Sequence, residues 1–175
     1  MRAFRRTIPL FLIAAFAAAD GTAAGLQVRA DLRSTEEVPA LSTSAEGSFL
    51  GTFSVSREEL DYELSYGDLE GEVAQAHLHL GQRGVSGGIS IFLCTNLGNG
   101  PPGTQLCPPS PATISGTLSE ADVLGPTGQG IQPGEWDEVR RAIEEDVVYV
   151  NVHTDLFPAG EIRGQVRGDQ GRNLP

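Results

Sequence analysis

The sequence predicts an all-β chain, an antiparallel sandwich or barrel of about eight strands with one short helix. Three observations predict it. From Leu26 onward the chain runs in short stretches that alternate apolar and polar residues, the period of a strand with one buried face. Clusters of Gly, Pro, Ser and Asp punctuate these stretches, which suits antiparallel connections better than the long crossovers of a parallel sheet. One segment alone switches to helical period.

The first strand is "LQVRADL" (26–32). In "GSFLGTFSV" (47–55), Phe49, Phe53 and Val55 share one face, opposite Ser48, Thr52 and Ser54. "LDYELSY" (60–66) sets Leu60, Tyr62, Leu64 and Tyr66 against Asp61, Glu63 and Ser65. "VAQAHLHL" (73–80), "GISIFLC" (88–94), "ATISGTL" (112–118), "VVYVNVH" (147–153) and "EIRGQVR" (161–167) complete the set. The helix is "PGEWDEVRRAIEED" (133–146), where Trp136, Val139 and Ile143 recur at spacings of three and four and make one apolar stripe. Glu135, Asp137 and Glu138 lie where the helix dipole favours acids. A second short turn starts at Ser119, a capping residue, in "SEADVLG". Both segments fall between the strands at 112–118 and 147–153, so they are expected to close an end of the sandwich, with Trp136 as its plug.

The N-terminus has Arg2, Arg5 and Arg6 ahead of an apolar run from Ile8 to Ala19, then small residues, the pattern of a secretory signal peptide. Three segments are expected: a signal peptide over 1–24 with cleavage after residue 19 or 24, one domain over 25–168, and a short tail over 169–175. The apolar run is short for a membrane span, and no later stretch matches it, so the mature chain is expected to be secreted or periplasmic with no integral membrane segment. The net charge of −11, reached without a single lysine, argues against binding nucleic acid or an anionic membrane through bulk electrostatics. In an oxidising compartment Cys94 and Cys107 are expected to pair. The bond would close a Gly/Pro-rich loop and, in the chain-entropy model, add about 3 kcal/mol.

Two of the three histidines stand in "AHLHL" (76–80). On a strand His77 and His79 project from the same face, about 7 Å apart along the backbone. In "VVYVNVHTD", Tyr149, Asn151 and His153 share a face opposite Val148, Val150 and Val152. If the strand at 147–153 lies beside the strand at 73–80 in the right register, His153 joins His77 and His79. Three imidazoles suit Zn(II) or Cu(II), with Asp155, Glu161 or a water as candidate fourth ligand. Metal affinity is then expected to fall as pH drops through the ordinary histidine range near 6.5. The competing reading is three structural histidines satisfied by backbone or carboxylate partners.

In "FPAGEIRGQV", Pro158, Ala159 and Gly160 form a turn, after which Glu161, Arg163 and Gln165 share a face. Arg163 is expected to pair with a carboxylate and hold strand register; contact with an anionic ligand is the alternative. Gly164 marks a close approach or a bulge. The adjacent acids Glu36-Glu37, Glu58-Glu59 and Glu144-Glu145 read as solvated surface charge. There is no phosphate loop, H-E-x-x-H or EF-hand loop in the sequence.

"EVPALSTSAEGSFLGTFSV", "LDYELSYGDLEGEVAQAHLHLG", "GTLSEADV" and "VYVNVHTDLFPAGEIRGQV" together resemble the CHRD domain, named after chordin and found in many secreted bacterial proteins. The paired A-H-x-H and the closing Y-V-N-V-H-T…G-E-I-R-G-Q carry the resemblance most specifically. It implies an immunoglobulin-like, antiparallel Greek-key β-sandwich or barrel related to Cu/Zn superoxide dismutase, and it implies no established enzymatic activity. A bridged copper–zinc site needs more histidines than the three present; one copper centre does not. Two functions therefore stand: a non-enzymatic binding or structural module for a protein or surface polymer, holding a Cu or Zn ion through His77, His79 and His153, or a mononuclear copper redox protein.

Overall fold

Burial follows the alternation. In the computed structural model, which describes residues 25–168, the strands are β1 (Gln27–Arg33), β2 (Glu46–Phe53), β3 (Leu60–Gly67), β4 (Val73–Leu80), β5 (Ile89–Thr95), β6 (Ala112–Leu118), β7 (Val148–Thr154), β8 (Ile162–Gln165) and β9 (Arg167–Gly168); helix α1 spans Trp136–Glu144. The expected signal peptide and C-terminal tail lie outside the described residues. Val28, Ala30 and Leu32 of β1, and Leu60, Tyr62, Leu64 and Tyr66 of β3, are buried, while the residues between them face outward or are only partly covered. β2 departs from the expected pattern at its end. The strand stops at Phe53, and a turn follows in which the Arg57 amide donates to the Ser54 carbonyl. Val55 therefore leaves the apolar face and is 78% exposed.

All ladders are antiparallel, and the strands follow the order β5-β4-β7-β8-β1-β2-β3-β6, with β9 also pairing β1. The sheet curls into a nearly closed eight-strand barrel whose two ends, β5 and β6, meet through side chains. The Tyr62 hydroxyl donates to the Leu93 carbonyl, and Gln105 Nε2 donates to the Tyr62 hydroxyl and the Ser115 carbonyl. The Cys94–Cys107 disulfide anchors the loop that carries Gln105, and the Thr95 amide donates to the Gln105 carbonyl. Across β8 and β1 the backbones nearly touch: a Cβ at Gly164 would lie 2.5 Å from the Asp31 carbonyl oxygen, so only glycine fits there.

Helix α1 is shorter than the expected 133–146 because Gly134 and Asp146 take positive φ and end the regular segment on either side. Trp136, Val139, Ala142 and Ile143 form its buried face. The Trp136 ring packs edge-on against Phe53, and its Nε1–H donates to the Arg57 carbonyl. The helix thus closes the barrel end where β2 stops and β7 begins. The turn expected at Ser119 is a 3-10 turn over Glu120–Asp122, and the Asp122 carboxylate accepts the Ser119 amide.

β4 and β7 lie side by side. Their register sets His77 opposite Asn151, His79 opposite Tyr149 and Gln75 opposite His153. Every residue of β7 is buried. Val148, Val150 and Val152 join the barrel core with Ala76 and Leu78. The other face, carrying Tyr149, Asn151 and His153, is covered by connections from elsewhere in the chain.

Candidate metal centre

The β4–β7 register makes His153 the diagonal neighbour of His77, within reach of a long side chain across the ladder. His77, His79 and His153 converge there, their ligand atoms all within 4.8 Å of one another. Their exposures are 0%, 6% and 6%, so the rings are withdrawn from water. Ring centroids lie 5.3 Å apart for His77 and His79, 5.0 Å for His77 and His153, and 5.8 Å for His79 and His153.

The roof fixes the tautomers. A carbonyl accepts only, so each histidine facing one must present an N–H to it. His79 Nδ1 meets the Gly87 carbonyl at 3.1 Å, and His153 Nδ1 meets the Pro158 carbonyl at 3.0 Å. Both rings are left with the lone pair on Nε2, and that of His153 is within hydrogen-bond reach of His77 Nδ1. His153 Nε2 stands 3.2 Å from His77 Nδ1, close to the ~3.3 Å that separates two nitrogens on a tetrahedral ion with bonds near 2.05 Å. His79 Nε2 and His77 Nε2 are buried with no hydrogen-bond partner. An unpaired buried polar atom costs about 1–3 kcal/mol, and a metal ion removes that cost at a lone pair. A carbonyl on the far nitrogen is also the usual way a ligating histidine is oriented.

Electrostatics keep the rings neutral. Burial, reinforced by the neighbouring histidines, pushes His77 down to about 2. Burial pushes His79 down to about 4 against the Gly87 hydrogen bond, and lowers His153 as well. The Tyr149 ring lies parallel to the His79 ring at 4.8 Å, and the Arg163 guanidinium carbon sits 3.4 Å from the Tyr149 centroid. Because β4 and β8 flank β7 on opposite sides, Tyr149 is sandwiched between the imidazole and the guanidinium.

The candidate fourth ligands are engaged elsewhere. Glu161 is fully buried, but its carboxylate accepts the Glu70 and Gly71 amides and the Thr154 hydroxyl. It precedes β8, just after Gly160 at φ +129°, so strand alternation does not extend to it. Asp155 accepts the Glu72 amide. Neither joins the histidine cluster. Arg163 differs from expectation too: its donors reach the Gln82 and Val85 carbonyls, clamping the β4–β5 hairpin, while Glu36 and Glu37 act on it only as nearby charges.

Glu37 is the residue that sequence reasoning missed. Read as solvated, it is buried, and its carboxylate accepts a short hydrogen bond from Asn151 Nδ2 at 2.5 Å. Burial pushes it up to about 7 despite Asn151 and Arg163. Gly87 and Pro158 were equally hidden, because their contribution is a carbonyl, which no side-chain pattern reveals.

Comparison with curated proteins and with solved structures finds no match. The family model of the CHRD domain matches residues 28–166, nearly the whole described barrel with both histidine-bearing strands. The chain belongs to the CHRD domain family.

Proposed function

We propose that this chain is an exported, small binding module whose own chemistry is a mononuclear transition-metal centre at His77, His79 and His153. The observation that carries the reading is the convergence of three neutral, buried imidazoles, two of them turned by carbonyls so that Nε2 lone pairs face the cluster. Hydrogen-bonded structural histidines account for the Nδ1 atoms and leave His79 Nε2 without a partner. When bound, a Cu or Zn ion supplies Lewis acidity or, as copper, a redox couple. The chain's residues orient the ligands, exclude water and hold them deprotonated. The disulfide fits an oxidising compartment. Counting β5 and β6 as neighbours across the seam, the order β7-β4-β5-β6 has the form of a Greek key, which supports an immunoglobulin-like or dismutase-like classification.

Titration of metal-free protein with Zn(II) by calorimetry at pH 7 tests the centre. The expected result is one equivalent bound, with His79→Ala weakening binding at least about a hundredfold. His79→Gln, of similar volume, controls for packing, and circular dichroism checks that both variants fold. Unaltered affinity in the two variants would sink the reading.

A further inference from the structure

We propose that the centre selects a monovalent ion and holds copper(I) in preference to Zn(II) or Cu(II). This rests on the three histidines being the ligands. Charge and coordination number both favour the monovalent ion.

All three donors are neutral imidazoles, and the carboxylates nearest in sequence are withheld. Glu161 is tied to the Glu70 and Gly71 amides and to Thr154, and Asp155 to the Glu72 amide. A cation stands close to the ligands: the Arg163 guanidinium, one ring away from His79 through Tyr149. Glu37, beyond Asn151, is held toward its neutral form by burial.

The cost of moving an ion into a low-dielectric interior grows as the square of its charge, so a divalent ion costs four times as much as a monovalent one. No anionic ligand offsets that cost here, and Arg163 adds repulsion in proportion to charge. Coordination points the same way. Zn(II) takes four ligands, and a three-histidine zinc site completes its shell with water; Cu(II) favours tetragonal surroundings. These rings are at most 6% exposed. Copper(I), a closed-shell ion, is content with three neutral nitrogens and needs neither water nor carboxylate.

The test is competition under anaerobic conditions. Metal-free protein is equilibrated with Cu(I) against bicinchoninate, with Zn(II) against a fluorescent zinc chelator, and with Cu(II) against glycine. Cu(I) is expected to bind at least about a hundredfold more tightly than Zn(II), and X-ray absorption should show three nitrogen neighbours around it. Arg163→Met separates electrostatics from packing: because repulsion is linear in charge, the fold-gain for Zn(II) should be the square of that for Cu(I), about ninefold where Cu(I) gains threefold. Arg163→Lys, which keeps the charge, should leave their ratio unchanged. Zn(II) affinity equal to or above that of Cu(I), a four-coordinate copper(I) shell, or equal fold-changes for the two ions in Arg163→Met would overturn the proposal. If none of the three ions binds, or if His79→Ala leaves all affinities intact, it is the three-histidine reading that fails.

Discussion

At the scale of single residues, two opposite titrations share one face of β7. The histidines, buried as neutral bases, have folded pKa values below their unfolded value of 6.5, with His79 near 4. Their neutral form is fully present above pH 6.5, and stability is lost as pH falls from there toward 4, because the unfolded chain takes up the proton first. Metal affinity moves with the same shift. Without burial, binding would weaken from pH 6.5 downward; here the loss should begin at lower pH, because all three rings are lowered, and a calorimetric series showing loss already at pH 6.5 would contradict the burial. Glu37 runs the other way. Its folded value near 7 lies above the unfolded 4.5, so its stabilising contribution is complete below pH 4.5 and is lost as pH rises through 7. Glu37→Gln keeps an acceptor for Asn151 and removes the buried charge. It should stabilise the protein by roughly 3 kcal/mol at pH 8 and leave it unchanged at pH 4, measured by urea denaturation.

Among the elements, alternation made most strands legible and failed where the chain leaves a ladder. β6 falls where expected, at 112–118. Val55 and Glu161 sit just outside a strand, one past the end of β2 and the other before β8, and there a period of two carries no information. The expected strand at 161–167 divides because Val166 turns inward, its amide donating to the Val148 carbonyl, before β9 pairs with β1. The disulfide loop illustrates an element whose energetics can be assigned. Asn96 donates to the Val73 and Cys107 carbonyls and accepts the Cys107 amide, so the loop keeps native ties when the covalent bond is absent. Replacing Cys94 and Cys107 together by Ala should cost about 3 kcal/mol from restored chain entropy. Because Cys94 pairs with Ala76 on the core side of β4, metal affinity should not change, and its loss would show that the loop shapes the site. Trp136→Ala, which opens the barrel end against Phe53, should cost about 3–5 kcal/mol in the same denaturation assay.

For the whole molecule, the candidate site exists only in the folded chain. The same-face spacing of His77 and His79, and the possibility of His153 beside them, were visible in strand period. The register that brings them together, and the roof that buries them, were not. That roof combines Glu37 after a 3-10 turn over Ser34–Glu36, Gly87 in the β4–β5 hairpin and Pro158 in the β7–β8 turn, positions spread over most of the barrel sequence. Local pattern cannot say which connections cover which face, because that depends on how the strands are ordered around the barrel. The same separation has a thermodynamic consequence. Unfolding scatters the ligands over two strands and removes the orienting carbonyls, so an ion that binds the three histidines rewards the native state almost exclusively. At a free-metal concentration about a hundred times the dissociation constant, linkage adds about 2.7 kcal/mol, which for a domain of this size raises the melting temperature by about 5–10 °C. The rise should reverse on adding a chelator and should disappear in His153→Ala, which removes the one ligand supplied by β7 while leaving the β4 pair in place. A melting shift of the same size in that variant would mean that the ion binds elsewhere, through the exposed carboxylates, and that the register of β4 against β7 does not build a metal site.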